Sequence, residues 1–147
     1  MQLSLQLSLL NVSNLNRSVE FYRNVLDLQP VTSGDRITVL LIDETTRQQV
    51  LVLREVEGAN PLHVGRGSIG SRILGLEAGS PADLDEIERR LTERNAFIGR
   101  RKTETWVAIV GVDPDRIEIT VSSSLTGDPM HRADWSHVDQ MAYEIGE

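Results

Sequence analysis

Asp113-Pro114-Asp115-Arg116-Ile117-Glu118-Ile119 combines a turn and a strand, and the neighbouring elements can be assigned from it. Asp-Pro-Asp is typical of a tight turn, because proline presets its own φ and aspartate side chains accept hydrogen bonds from nearby backbone. In the strand that follows, successive side chains alternate between the two faces. Ile117 and Ile119 therefore share one face, and Glu118 lies on the other, where it points either to water or into a polar cavity.

The first half of the chain predicts a strand, a helix and two further strands. Four leucines alternate with polar residues, which is the period of a half-buried strand: Leu3, Leu5, Leu7 and Leu9. Ser13-Asn14 offers an N-cap for a helix, whose apolar stripe consists of Leu15, Val19, Phe21, Tyr22, Val25 and Leu26. After a turn at 33–35, residues 36–43 and 49–54 each predict a strand.

The second half repeats this plan. Residues 72–78 predict a strand, and Ser80-Pro81-Ala82-Asp83 is a strong helix start, with serine as the cap and proline in the first helical position. Asn95 can end that helix. Three strands are then predicted, at residues 97–101, 105–112 and 116–122.

This internal duplication predicts an α+β fold of two βαβββ modules that form a concave, partly closed sheet with the helices on its outer face. A small molecule would bind on the concave side. We expect a single domain over residues 1–147, with module 1 at about 3–57, a linker at about 58–70 and module 2 at about 71–122. The tail, 123–147, predicts a short helix capped by Asp134 and anchored by Trp135.

Composition excludes several classes of function. The net charge of −7 argues against a nucleic-acid partner, since such binding depends on Lys and Arg that neutralise phosphates. The absence of cysteine excludes disulfides, thiolate metal sites and cysteine nucleophiles. No apolar run is long enough to span a bilayer, and the N-terminus lacks the basic region of a signal peptide. We therefore expect a cytoplasmic protein with no membrane partner.

The segment Asn11–Leu28 (NVSNLNRSVEFYRNVLDL) resembles the opening of the vicinal oxygen chelate superfamily. That superfamily includes glyoxalase I, bleomycin-resistance proteins, fosfomycin-resistance enzymes and ring-cleaving dioxygenases. Residues Asp113–Glu118 resemble the second-half signature of the superfamily. Their turn is shorter than the turn of that signature, at the place where the signature usually has a glycine. The resemblance covers residues 3 to about 122 and implies the fold and a homodimer. It says less about function, because this fold hosts many chemistries.

Enzymes of this superfamily usually hold a divalent metal on inward-facing His, Gln or Glu side chains from strands of both halves. By this resemblance Glu118 takes the position of the last-strand carboxylate ligand. The other positions fall on Leu7, on Leu51 or Val52, and on Ile73, all apolar. Since a zinc ion needs three or four ligands and a hard cation several oxygens, we expect no metal and no cofactor. The histidines are expected to be exposed or helix-capping: His63, His131 and His137.

The direction of each strand residue follows from alternation. Leu74 and Leu76 require the helix-covered face, so Ile73, Gly75 and Glu77 should face the cavity, and a shift of one residue would reverse this. The residues expected to contact a ligand are Glu118, Trp106, Leu7, Leu9, Asn11, Val52, Ile73, Glu77 and Thr120.

Two of these residues have open alternatives. Glu118 is either paired with Arg, Thr or Tyr groups, or protonated, or exposed. A single carboxylate is weak evidence for catalysis, so orienting a ligand is favoured over an acid–base role. Trp106 stacks on a planar ligand if it faces the cavity and belongs to the core if it faces the helix; strand parity leaves both open.

These features favour a metal-independent protein that binds a drug or metabolite, resembling the bleomycin-resistance branch and its role in antibiotic resistance. The alternative is a lyase, isomerase or dioxygenase of the same superfamily that uses Glu118 in an atypical metal site or as an acid or base. A third hypothesis is a degenerate domain whose cavity is filled by its own apolar side chains.

Overall fold

A computed structural model describes residues 1–3, 5–43, 49–58 and 73–127 of the chain. They form two compact units. Unit 1 contains the described residues up to Gly58 together with the turn Asp113–Asp115, and unit 2 contains the described residues from Ile73 onward except that turn. Within these ranges, no helix has both the length and the apolar character needed to cross a membrane.

Unit 1 contains one helix on a four-stranded sheet. Its elements are β1 (Leu7–Val12), α1 (Leu15–Leu26), β2 (Gln29–Ser33), β3 (Ile37–Leu41) and β4 (Val50–Glu55). The strand order is β1-β4-β3-β2, and β1 runs parallel to β4 while the other pairs are antiparallel.

Unit 2 has the same topology. Its elements are β5 (Ile73–Glu77), α2 (Pro81–Glu93), β6 (Phe97–Lys102), β7 (Trp106–Val112) and β8 (Glu118–Ser124). The order is β5-β8-β7-β6, again with the first pair parallel. Each unit is therefore one βαβββ module, and the predicted α+β class is confirmed. The tail helix predicted around Trp135 and positions 59–70 of the predicted linker lie outside the described residues.

Strand β2 is an element that the sequence patterns do not predict. It contains Pro30, which has no backbone N–H and is tolerated mainly at sheet edges, and β2 is an edge strand. Its pairing with β3 shifts register between Pro30 and Thr32. Such an irregularity interrupts the two-residue period by which a strand is detected.

Helix α1 begins and ends at residues that stabilise its termini. The Asn14 side chain accepts a hydrogen bond from the Arg17 N–H, as the predicted N-cap requires. The Leu15 N–H donates to Glu55 Oε2 at 2.8 Å, which ties the first turn to the end of β4. The helix ends at Asp27, which is left-handed with φ 56°. The face it buries consists of Leu15, Ser18, Phe21, Tyr22 and Val25.

Helix α2 confirms the predicted start. Ser80 accepts a hydrogen bond from the Asp83 N–H, and Pro81 occupies the first helical position. Leu84 and Leu91 are its fully buried residues among those described. The opposite side of the helix carries alternating charges that pair with one another.

Glu86 on this exposed side is expected to make the stability of unit 2 depend on pH. Arg89 donates two hydrogen bonds to Glu86, and Arg90 Nε lies 2.9 Å from Glu86 Oε1. These bonds lower the pKa of Glu86 to about 2. Because the native pKa is depressed, the stabilisation is present above the unfolded pKa of Glu and is lost as the pH falls toward the native value.

The measurement is urea unfolding of the wild type and Glu86→Gln between about pH 6 and about pH 2. The stability difference should shrink toward zero as the pH falls, and added salt should also reduce it, since the pairs are exposed. Glu104→Gln, at an exposed glutamate with no ion pair among the described residues, is the control. A Glu86→Gln difference that stays constant down to the lowest pH would contradict the assignment.

Candidate functional site

The sheet of unit 2 has one face toward α2 and one face away from it, which we call the far face of unit 2. Gly111 faces α2, because a Cβ built on it would lie 2.8 Å from Leu91 Cδ1. Alternation along β7 then places Trp106 and Val110 on the far face. Glu118 lies there too, since it pairs with Val112 across β7 and β8.

Strand register arranges the far face of unit 2 in rows of side chains that cross the sheet. One row contains Ile73, Glu118 and Val112. The next contains Gly75, Thr120, Val110 and Gly99, and we call it the glycine row. The third contains Glu77, Ser122, Ala108 and Arg101. The predicted orientation of Ile73 and Glu77, opposite to Leu74, agrees with this register.

Both ends of the glycine row lack a side chain. A Cβ built on Gly75 or on Gly99 would meet no atom of the described residues within 4 Å. Between these two glycines, Thr120 and Val110 are buried at 6% and 4% exposure. Among the described residues, the row therefore has open space at its two glycines, on the edge strands, and a buried centre.

Thr120 has a buried hydroxyl that no described residue satisfies. Its Oγ1 and the Ser18 Oγ are the two such side-chain atoms in the described part of the chain. A buried polar atom without a partner costs about 1–3 kcal/mol, and native proteins contain few of them. Thr120 is one of the predicted ligand contacts, but nothing in the sequence distinguishes it from Ser122 or Ser124. The distinction comes from burial.

Trp106 lies on the far face of β7, opposite Ser124 of β8. This resolves its orientation, which strand parity had left open: it does not face α2. The side chain is only 4% exposed, so most of the indole surface is covered in the chain as it stands. Its role as a stacking platform stays a prediction.

Glu118 is half-buried and lies directly opposite Ile73. It is two residues from Thr120 on the same face of β8, a separation of roughly 7 Å along the strand. Glu77 is on the same face and is exposed. Two carboxylates therefore flank the glycine row, one in each neighbouring row.

In unit 1 the predicted ligand contacts lie on the face of the sheet opposite α1, which we call the far face of unit 1. Glu55 reaches the first turn of α1, so alternation along β4 places Leu51 toward the helix and Val52 on the far face. Leu9 pairs with Val52, and Leu7 shares its face. Of the two candidates in β4, the far-face position is therefore Val52.

The residues at the four positions implied by the resemblance do not fit a divalent cation. In unit 1, Leu7 and Val52 present only hydrocarbon, and in unit 2, Ile73 lies beside the single carboxylate of Glu118. One oxygen-bearing side chain is fewer than zinc, calcium or magnesium sites require. In the described ranges no three His, Cys, Asp or Glu residues come together in a possible metal site. The three histidines lie outside those ranges: His63, His131 and His137.

The Asp113-Pro114-Asp115 turn belongs to unit 1 and is held there by its carboxylates. The Tyr22 hydroxyl donates to Asp113 Oδ2 at 2.9 Å, and the Ser13 N–H donates to Asp115 Oδ2 at 3.1 Å. The Ser13 hydroxyl also donates to Asp115, and Arg17 Nη2 lies 3.4 Å from Asp115 Oδ1.

The predicted local turn chemistry is present as well, since the Asp115 N–H donates to Asp113 Oδ1 at 2.8 Å. Burial, and then the charge of Asp113, raise the pKa of Tyr22 well above its usual value, which keeps the phenol neutral and donating. These carboxylates therefore serve the fold. The sequence indicates the turn but not its distant donors.

Comparison with known proteins gives a family and a fold. A sequence profile of the Glyoxalase/Bleomycin resistance protein/Dioxygenase superfamily matches residues 4–121. No curated protein matches the chain. Among solved structures, the chain is similar to a glyoxylase/bleomycin resistance protein/dioxygenase domain from Frankia sp. EAN1pec. The two sequences are 22% identical, and the TM-score is 0.71. The match covers 84% of this chain and 99% of that chain.

Two further structures are similar at lower identity. A glyoxalase/dioxygenase from Nostoc punctiforme has 17% identity, covers 82% of this chain and 90% of its own, and has a TM-score of 0.69. The fosfomycin resistance protein FosX from Listeria monocytogenes has 17% identity, covers 86% of this chain and 98% of its own, and has a TM-score of 0.64. At such identities the similarity concerns the fold, which is shared by proteins of different function.

Proposed function

The chain belongs to the Glyoxalase/Bleomycin resistance protein/Dioxygenase superfamily, and on this premise we propose that it binds a small organic molecule on the far face of unit 2 without a metal ion. In this role it would sequester a drug or metabolite, as the bleomycin-resistance branch does. The observation that carries the proposal is the buried, unsatisfied hydroxyl of Thr120 at the centre of the glycine row.

The chemistry of the far face indicates what such a ligand contains. A polar group of the ligand would pair with the Thr120 hydroxyl, and its apolar part would lie against Val110 and Ile73. A ligand of this kind gains affinity by satisfying a group that is otherwise left unpaired. Glu77 and Glu118 on the same face, together with the net charge of −7, favour a neutral or cationic molecule.

Thr120→Val is expected to change stability and binding in opposite directions. Valine has nearly the same shape without the hydroxyl, so the free energy of unfolding should stay level or rise by up to about 1 kcal/mol. Ligand binding should weaken by about tenfold, the effect of one lost hydrogen bond. The measurements are urea unfolding and a thermal-shift screen of neutral and cationic drugs and metabolites, run with and without EDTA.

Two further variants sharpen this screen. Gly75→Val fills the space at one end of the glycine row and should abolish the thermal shift, whereas Val31→Thr, at an exposed position of β2, should leave it unchanged. Thermal shifts that disappear in EDTA would contradict metal-independent binding. Shifts that Thr120→Val and Gly75→Val leave intact would place the ligand elsewhere.

The second candidate is a lyase, isomerase or dioxygenase in which Glu118 acts as an acid or base. It is supported by the position of Glu118, which is half-buried and two residues from Thr120 on the same face. Glu118→Gln separates the two functions. Binding of a neutral ligand should persist in this variant under either function. An enzyme would lose its turnover of that ligand, and this loss is the distinguishing result. The homodimer and the cytoplasmic location stay predictions.

A further inference from the structure

Arg54 of β4 is held on the far face of unit 1 by a neutral side chain. Its Nε and Nη2 donate to Asn11 Oδ1 at 3.0 and 2.8 Å, and the two residues lie directly opposite one another on β4 and β1. None of the ion pairs within the described ranges involves Arg54. Asn11 therefore orients this exposed guanidinium, and no carboxylate of the described residues pairs with it.

The surface beside this guanidinium is apolar. Strand register places Ile37 next to Arg54 on the side away from Asn11. The two rows that follow are Leu9, Val52, Val39 and Thr32, and then Leu7, Val50, Leu41 and Gln29. Leu7, Leu9 and Ile37 are 50%, 40% and 43% exposed, so a substantial part of this apolar surface reaches solvent.

We propose that the far face of unit 1 binds a small amphipathic carboxylate, with the carboxylate on Arg54 and the apolar body along Leu9 and Leu7. A guanidinium has five N–H donors, and Asn11 occupies two of them. The edge formed by Nη1 and Nη2 still offers one N–H from each nitrogen, which is the geometry that a carboxylate binds through two parallel hydrogen bonds.

Charge complementarity selects this occupant. An uncompensated cation beside exposed leucines matches a molecule that has an anionic head and an apolar tail, and matches neither a neutral oil nor a cation. The amide of Asn11 orients the guanidinium without neutralising it, so the site is pre-organised for an incoming anion. This inference concerns unit 1 alone and stands independently of the binding proposed for unit 2.

Octanoate is the probe, with octanol as its uncharged analogue, and binding is followed by calorimetry and by amide NMR shifts. We expect octanoate to bind at least about tenfold more tightly than octanol. The shifted amides should belong to Leu9, Asn11, Val52 and Arg54. Asn11→Asp is the decisive variant, because it supplies Arg54 with an internal carboxylate; octanoate affinity should fall about tenfold while octanol binding stays the same.

Arg54→Gln should have the same effect on octanoate as Asn11→Asp. The matched control is Arg36→Gln, which should not affect binding. Arg36 is an exposed arginine of unit 1 whose Nη1 lies 3.7 Å from Glu57 Oε2. Equal affinity for octanol and octanoate would overturn the proposal. So would octanoate binding that survives both Asn11→Asp and Arg54→Gln, or shifts confined to unit 2. Self-association that Arg54→Gln abolishes would instead assign this face to a second copy of the chain.

Discussion

Gly111→Ala is expected to lower the free energy of unfolding by about 1–3 kcal/mol, the range for added volume in a packed core. A Cβ at this position would lie 2.8 Å from Leu91 Cδ1 and 2.9 Å from the Ala96 carbonyl oxygen. Leu91 is only 1% exposed, so it has little room to move. The Ala96 oxygen is fixed as well, because it accepts a hydrogen bond from the Val112 N–H at 2.9 Å.

Gly99→Ala on the neighbouring strand is the matched control for Gly111→Ala. No described atom lies within 4 Å of a Cβ at Gly99, so alanine there should be neutral or stabilise by up to about 1 kcal/mol. Urea unfolding followed by circular dichroism measures both. In Leu91→Ala, which removes both leucine methyl carbons that crowd this position, the cost of Gly111→Ala should fall. Equal effects of the two glycine substitutions would show that crowding against α2 is not the cause.

Asp113→Ala should destabilise the protein by about 2–3 kcal/mol, because it removes a charged acceptor from buried donors. The Tyr22 hydroxyl, on a residue with 0% exposure, would lose the acceptor that lies 2.9 Å away. The Asp115 N–H would lose its bond within the turn as well. Asp113→Asn keeps an acceptor oxygen and should be milder.

A double-mutant cycle with Tyr22→Phe isolates the Tyr22–Asp113 bond. Because Tyr22→Phe removes the hydroxyl that Asp113→Ala would leave unpaired, Asp113→Ala should cost less in that background, by about 1–2 kcal/mol. Urea unfolding of the four proteins gives the coupling. Strict additivity of the two substitutions would mean that the hydroxyl and the carboxylate do not stabilise each other.

The faces of the strands could be predicted from the sequence because alternation is a local property of an extended chain. The opposite orientations of Ile73 and Leu74, and of Glu118 and Ile119, agree with the register. The helix starts at Asn14 and Ser80 could also be predicted from the sequence, because a cap side chain bonds to a backbone N–H three residues ahead. Strand β2 could not, because Pro30 and a register shift interrupt its period.

The candidate sites depend on pairing between distant segments. The glycine row exists because β5 and β8 pair in a register that brings Gly75 beside Thr120. Arg54 is oriented because that residue and Asn11, 43 positions apart, lie opposite one another. Side-chain direction along one strand depends on neighbours in the sequence, so it can be inferred from residue types. Which side chains meet, and which hydroxyl remains buried without a partner, depends on long-range packing that no local pattern encodes.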